Sequence, residues 1–248
     1  MISVAIIGSG NVAHHLTKAF FKAKEVNVVQ VYARHLANIE HLQKKTAVID
    51  DLKKLRPVDV VIIAVSDNAI ATVSSKIHLP GSLVVHTSGS IDMKELKNNG
   101  SKGVFYPLQS FSKDKEVNFK EIPFCLEAEN KKDLKVLEQL ASTIGRKIYP
   151  ITSKQRQQLH VAAVFVNNFV NHLYKIGNDI CDAYQVPFEI LQPLIQETAL
   201  KIEKLPPAQA QTGPAKRNDT KTIKNHLDLL KKEQQEIYKL LTKSIQNG

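Results

Sequence analysis

Gly8, Gly10 and Ala13 are the residues whose types and spacing most clearly suggest chemistry. They follow the apolar run from Val4 to Ile7 and spell G-x-G-x-x-A just before a helical pattern that begins near Asn11. In a dinucleotide site the first glycine permits the tight turn out of the strand. The second lets the backbone approach a pyrophosphate with no Cβ in the way, and the third small residue lets the helix pack close to the sheet. Gly8, Ser9, Gly10, Asn11 and Val12 are therefore expected to hold phosphates, helped by the free N–H groups and the dipole of the helix N-terminus. An ordinary glycine turn has the same letters. The strand before it, the amphipathic helix after it and a second strand ending at the usual distance favour the ligand-binding reading.

That second strand ends at Val31-Tyr32-Ala33-Arg34. An NAD site usually has an acid near this point, whereas a guanidinium matches the doubly charged 2′-phosphate of NADP, so Arg34 points to NADP unless it is only a solvated loop residue. The run from Val58 to Val65 leads into Ser66, Asp67 and Asn68. Val65, Ser66 and Asp67 would adjoin the cofactor, although helix capping by Asp67 or Asn68 by itself explains the polar ones. His86-Thr-Ser-Gly-Ser90 offers the small donors Thr87 and Ser88 at a strand end, with Ser90 a candidate cap for a helix at Asp92. The stretch from Val104 to Ser112 holds a candidate cis peptide at Tyr106-Pro107 and sets Gln109, Ser110 and Ser112 among aromatics, the composition of a pocket wall.

Two later stretches add candidates. Residues 159–174 are apolar almost all round, which predicts a buried helix. On a wheel of about 100° per residue His160, Asn167 and Asn171 share one narrow face, with Asn168 and His172 on the same side. Buried polar groups need partners, so this stripe faces either an interhelical or dimer network or a substrate. The turn Thr212-Gly213-Pro214 presents donors, Arg217 adds charge, and Asp219 can cap the last helix. A ligand role and a simple connecting loop fit this segment equally well.

The elements that must position these residues alternate from Met1 to about Pro150, short apolar runs with amphipathic stretches, which predicts an α/β fold with a mainly parallel sheet. Strands are expected at 3–7, 27–32, 47–49, 58–65, 82–86, 103–106, 124–127 and 147–149, and helices at 11–22, 36–45, 68–76, 93–98 and 131–144. Beyond Ile151 only helical patterns remain, at 153–185, 188–204 and 219–246. Two domains are expected, 1–151 for the cofactor and 152–248 all-α for substrate binding or dimerisation. The chain has 248 residues, a net charge of +10, no tryptophan and two cysteines. The basic residues are dispersed rather than striped, so no nucleic-acid role is expected. Cys125 and Cys181 form no ligand cluster, so no metal is expected. No apolar run reaches a membrane span, and Met1 leads straight into the first strand, which makes a cytoplasmic protein without a leader the expectation.

Together the segments Gly8–Ala13, His86–Ser90, Phe105–Ser112, Leu159–Asn168 and Thr212–Ala215 make the whole chain resemble a bacterial family of candidate NADP oxidoreductases, Rossmann-like with a helical C-terminal domain of unknown function. More distantly it is similar to pyrroline-5-carboxylate reductase, prephenate dehydrogenase, ketopantoate reductase and deazaflavin-dependent NADP oxidoreductase, and its helical part to that of 6-phosphogluconate dehydrogenases. Thr212–Ala215 is similar to a Ser-Gly-Pro-Ala loop near the substrate of pyrroline-5-carboxylate reductases. Several β-hydroxyacid dehydrogenases of the wider group carry Lys-x-x-x-Asn on the first interdomain helix. Here Ala163, Val164 and Asn167 stand four residues before Asn167, Asn168 and Asn171, so that lysine is absent. His160 is the nearest substitute for proton transfer.

The resemblance implies an NADP-dependent reductase of a small, anionic carbonyl or imine, acting as a homodimer through the helical domain. Its pocket would lie between domains or protomers, with His160 and Asn168 orienting or protonating the substrate and Gln109, Ser110, Thr212 and Arg217 contacting it. A non-catalytic NADP-binding sensor or interaction protein is the alternative that the missing lysine leaves open.

Overall fold

Eight strands form one sheet in the computed structural model, which describes Met1–Gly248: β1 (Ile2–Ile7), β2 (Val26–Tyr32), β3 (Ala47–Ile49), β4 (Val60–Ile63), β5 (Leu83–His86), β6 (Lys102–Pro107), β7 (Pro123–Ala128) and β8 (Lys147–Pro150). Their order is β3-β2-β1-β4-β5-β6-β7-β8. All neighbours are parallel except β6 and β7. Strand order reverses between β1 and β4, and ligands of open sheets bind beyond the carboxyl ends of the strands at such a point. Val4 to Ile7 and Val60 to Ile63 have no exposed surface. Continuous burial is what a central parallel strand needs, and it is why these runs are apolar without alternation. Val4 and Ile6 enter the core on one face of the sheet, Ala5 and Ile7 that on the other.

Helix α1 (Asn11–Phe20) lies on the first face and buries Ala13, Leu16 and Phe20, a spacing of three and four residues that makes one stripe. Helix α2 (Ile70–Ser74) buries Ile70 on the second face. Helix α3 (Lys131–Ser142) is capped by Asn130, whose side chain accepts from the Asp133 N–H at 2.9 Å. Three expected helices are shorter than their patterns. Residues 36–45 form only two 3₁₀ turns, Leu36–Asn38 and Glu40–Leu42, because Leu36, Ile39 and Leu42 recur every third residue. Residues 93–98 give one 3₁₀ turn, Met93–Glu95, capped by Asp92 rather than Ser90. Residues 68–76 open with a 3₁₀ turn, Asp67–Ala69, and shrink to α2. No peptide bond is cis, so the cis expectation at Tyr106-Pro107 fails: Pro107 closes β6 in register with Phe124, in extended backbone that suits a trans bond.

By contacts the chain divides into two units, Met1–Val164 and Phe165–Gly248. Helix α4 (Ser153–Ala163) therefore belongs with the sheet, although the composition changes at Ile151. The cause is Arg156, which is fully buried. It pairs with Glu127 of β7 at 2.5 Å and donates to the carbonyl of Ile91 and, at 3.2 Å, to the Ser153 hydroxyl. A capping box between Thr152 and Gln155 starts the helix.

The second unit is helical throughout. A π-helical stretch, Val164–Phe169, leads into α5 (Val170–Ala183), followed by α6 (Gln192–Lys201), α7 (Pro207–Ala210), α8 (Thr220–Leu229) and α9 (Lys232–Asn247). The single helix expected at 219–246 is two, because the backbone is extended at Leu230 and Gln235 reaches back to the carbonyls of Leu227 and Leu230 at 2.9 and 3.0 Å. Asp219 does cap α8, accepting from Thr222 N–H at 3.0 Å. The expected burial of the apolar helix fails within the single chain: Val161 is 59%, Phe165 62% and Val166 74% exposed. Of Phe165–Gly248 only Ala215 is buried. No helix is long and apolar enough to cross a membrane.

Candidate functional site

The turn out of β1 can be made only by glycine. Gly8 has φ +136°, and a Cβ there would stand 2.1 Å from the Ala64 carbonyl oxygen at the end of β4. Gly10 is the N-cap of α1 with no side-chain cap, and a Cβ on it would meet nothing within 4 Å. The first-turn N–H groups of α1 thus face open space across a residue without a side chain, which fits a pyrophosphate. Asn11 contributes backbone rather than side chain, since its amide donates to the Phe111 carbonyl at 2.8 Å. Arg34 stands exposed just past β2, and Asn38 brings its amide within 3.5 Å of the Ser9 hydroxyl.

The ends of β4 and β5 carry the next candidates. Val65 is half-buried, while Ser66 and Asp67 are exposed; Ser66 is the N-cap of the 3₁₀ turn without a side-chain bond. Thr87 is half-buried, and its hydroxyl reaches the Ile63 carbonyl only at 3.5 Å. Ser88 is buried and its hydroxyl accepts from the N–H groups of Ser90 and Ile91 at 3.1 Å each, so this side chain shapes the turn. His86 is fully buried, and its Nδ1 accepts from the Ser88 N–H at 3.1 Å. Burial, then the nearby Arg156 cation, hold its pKa down to about 3. His86 is accordingly a neutral scaffold group rather than an acid or base.

A pair that the sequence did not suggest stands at the end of β6. The Tyr106 hydroxyl lies 3.1 Å from His160 Nδ1, with the rings edge to face at 6.1 Å. Both press on Gly89, where a Cβ would come within 2.5 Å of His160 Nδ1 and 2.9 Å of Tyr106 Cζ. Gly89 is therefore the residue that lets α4 and β6 meet over the end of β5. Burial above all, and then Cys125, push the Tyr106 pKa up to about 12, which keeps the phenol a proton carrier. The readable signal was a tyrosine closing an apolar strand at the carboxyl edge, but Tyr106 drew notice only for the proline after it.

The loop after β6 doubles back over α1. Besides the bond from Asn11, the His15 ring meets the Ser112 carbonyl at 2.8 Å and Lys18 pairs with Glu116 at 2.7 Å. Gln109 and Ser110 are exposed, the Gln109 side chain accepting from the Ser110 N–H at 2.8 Å. The carboxyl edge of the sheet thus gathers Gly8 to Val12, Val65 to Asp67, Thr87, Ser88 and His160. Asn168, Thr212 and Arg217 are exposed and belong to the second unit. The wheel that grouped His160 with Asn167 and Asn171 does not carry through, because the i→i+5 winding of Val164–Phe169 shifts the phase between them.

Residues 122–245 match the family described as a domain of unknown function, DUF2520, and residues 3–89 match the one described as NADP oxidoreductase, coenzyme F420-dependent. The chain is 40% identical to a candidate NADP oxidoreductase from Bacteroides fragilis, over 100% of this chain and 98% of that one, with a TM-score of 0.91. The chain belongs to the DUF2520 family. The DUF2520 protein also shares its fold with two solved reductases. One is a reductive aminase from Aspergillus terreus in complex with NADPH and ethyl levulinate, with 14% identity, 100% and 95% coverage and a TM-score of 0.73. The other is a pyrroline carboxylate reductase from Plasmodium falciparum with NADP bound, with 14% identity, 99% and 98% coverage and a TM-score of 0.61. No protein of curated function matches the chain. The resemblance drawn from the motifs is found, and so is the expected fold, a mainly parallel Rossmann-type sheet followed by helices.

Proposed function

We propose that this DUF2520 protein is an NADP-dependent oxidoreductase that reduces a small, anionic carbonyl or imine substrate. The observation that carries the reading is the convergence at one edge of the sheet of an uncapped, glycine-lined helix N-terminus and a hydrogen-bonded Tyr106–His160 pair. Gly8 to Val12 hold the pyrophosphate, Arg34 favours the 2′-phosphate, and Val65, Ser66, Asp67, Thr87 and Ser88 line the remaining cofactor. When bound, the cofactor supplies a hydride. The chain supplies position and the proton: in this reading Tyr106 and His160 serve a developing oxyanion or amide as donors, supported by their hydrogen bond and by the raised Tyr106 pKa, which keeps the phenolic proton in place until then. Asn168, Thr212, Arg217, Gln109 and Ser110 are the proposed contacts to the substrate and its anionic part. The proposed division of labour gives the sheet-bearing unit, now with α4 and His160, to the cofactor and proton transfer, and the helices from Phe165 on to substrate and self-association, with the cytoplasm as the proposed location.

A homodimer formed through the helical part belongs to the same reading. A helical unit with Ala215 as its sole buried residue and exposed Phe165, Val166, Ile190 and Leu194 has apolar surface that a second copy of the chain would cover.

Calorimetric titration with NADPH and NADH tests the cofactor, and NADPH oxidation across keto acids and imines, including amine and ketone mixtures, tests the reaction. Tight NADPH binding with substrate-dependent oxidation is expected. His160→Ala should lower turnover with cofactor affinity intact. Failure to bind either dinucleotide would refute the reading, and binding without turnover on any member of the panel would leave the sensor alternative in its place.

A further inference from the structure

Helix α1 also borders a cavity of about 380 Å³ on the first face of the sheet. The other walls are Glu116 to Lys120, in the connection from β6 to β7, and Thr143 and Ile144 just past the end of α3. None of the residues assigned above to the cofactor or to proton transfer lines it. Its apolar lining comes from Ala19, Ala23, Val117, Phe119 and Ile144. That lining is held from beneath: Ala23, Phe119 and Ile144 pack against the core, and the Phe119 ring stacks on Phe124 with centroids 6.1 Å apart. The volume is at the lower end of the range for small-ligand sites, roughly 300–1,000 Å³.

The charged groups around this space are Lys18, Lys22 and Lys120 against a single acid, Glu116. The Glu116 carboxylate meets Lys18 at 2.7 Å. That hydrogen bond, then the charges of Lys18 and Lys22, hold its carboxyl below the usual carboxylate range, so an anion at this point is felt by both lysines. Lys22 and Lys120 are in no ion pair. The Asn118 side-chain oxygen accepts from the Lys120 N–H at 3.2 Å, which leaves its amide N–H groups as donors. The Glu116 side chain is 84% exposed and that of Lys18 47%. An ion pair so open to water adds little to stability, and a carboxylate from solution can replace it at small cost.

We propose that this cavity binds a small amphipathic carboxylate, its aliphatic chain on Phe119 and Ile144 and its carboxylate displacing Glu116 from Lys18 and joining Lys22 and Lys120. The ligand class follows from the lining. A carboxylate of the chain itself already holds the anion's place, and three lysines against one acid favour a second anion. The apolar walls favour a hydrocarbon body behind that charge over a bare ion. Because no cofactor or proton-transfer residue lines the cavity, its ligand is an effector rather than the reacting substrate. The site goes beyond the oxidoreductase reading and does not depend on it.

The test is calorimetric titration of the full chain with butanoate, hexanoate and octanoate, with hexanol and hexylammonium as charge controls. It is repeated on Lys22→Glu, Lys120→Glu and Glu116→Gln, all at exposed positions where the fold tolerates the change. Hexanoate should bind at least about tenfold more tightly than either control, and affinity should rise about fourfold for each methylene added. Lys22→Glu should weaken hexanoate by about tenfold and Lys120→Glu several-fold, whereas Glu116→Gln, which removes the competitor, should strengthen it several-fold. Hexanol bound as well as hexanoate would assign the binding to the exposed apolar helices and overturn the proposal. So would no binding to wild type, or an affinity unchanged in the two lysine variants or in Glu116→Gln. Saturating NADPH should leave hexanoate binding in place, and mutual exclusion would move the carboxylate to the dinucleotide seat and overturn the proposal as well. Failure of NADPH to bind counts against the oxidoreductase reading alone, since the variants still decide the carboxylate site.

Discussion

Tyr106 and His160 divide one task between two chemically different groups. The phenol is nearly buried and holds its proton, whereas the imidazole is half-buried and can exchange with solvent. Tyr106→Phe removes only the hydroxyl. With a substrate found by the panel it should lower turnover about 100-fold or more, with NADPH affinity within twofold, and unchanged turnover would end its assignment as a donor. His86 makes a prediction of a different kind. Its pKa is about 3 in the fold against 6.5 for the free group, so above pH 6.5 it is neutral in both states and costs nothing. As pH falls below 6.5 the unfolded chain takes up a proton that the folded chain refuses, and stability declines by up to about 1.4 kcal/mol per pH unit until roughly pH 3. Urea midpoints at pH 7 and 4.5 should show this loss in wild type and a shallower one in His86→Gln. Parallel losses would assign it to another group.

Among elements, the glycine turns make the sharpest demands. Gly8→Ala combines a positive φ with a collision against the Ala64 carbonyl and should cost about 3 kcal/mol or more, read as a lowered denaturation midpoint. Gly89→Ala collides with two side chains instead of backbone, so relief is available. In a double-mutant cycle with His160→Ala the two losses should fall short of additive by about 0.5–3 kcal/mol, since removing the ring makes room for the methyl; strict additivity would mean that they do not touch. The elements differed in how readily they could be read. All eight strands were visible because central burial leaves unbroken apolar runs such as Val60–Ile63, which few helices of this length imitate. The turns at residues 36–42 read as a helix because a three-residue apolar repeat is half of a helical pattern. The break at Leu230 has no glycine or proline to announce it, and it is held by side-chain bonds from Gln235 of the next helix to the carbonyls of Leu227 and Leu230, a local contact that apolar periodicity does not register. The glycine half of the candidate site was legible for the opposite reason, since each small residue answers a local steric need. Tyr106–His160 was not, because its two halves are 54 residues apart and meet only once Arg156 has docked α4.

For the whole molecule, that docking and the bare helical surface are the governing features. Removing one partner of a buried ion pair strands the other, so Glu127→Ala should cost about 3–5 kcal/mol and loosen α4 together with His160, visible as faster amide exchange over Ser153–Ala163. Self-association through the helices predicts twice the chain mass in light scattering, and Val166→Glu, at a residue 74% exposed, should return the monomer; a wild-type monomer at working concentration would contradict the dimer. The antiparallel run of β7 against β6 has a further consequence. The connection between Pro107 and Pro123 leaves and re-enters the sheet at the same edge, the one where the glycine turn opens. A parallel crossover would have to travel the height of the molecule, so its length is constrained by geometry. This one has only to span two adjacent strands, and outside the residues tied to α1, Phe111, Ser112 and Glu116, doubling such a loop costs about 0.6 kcal/mol. Insertions and new side chains can therefore accumulate beside the chemistry while every strand keeps its register, which makes this segment the natural place for relatives of the chain to diverge in what they accept.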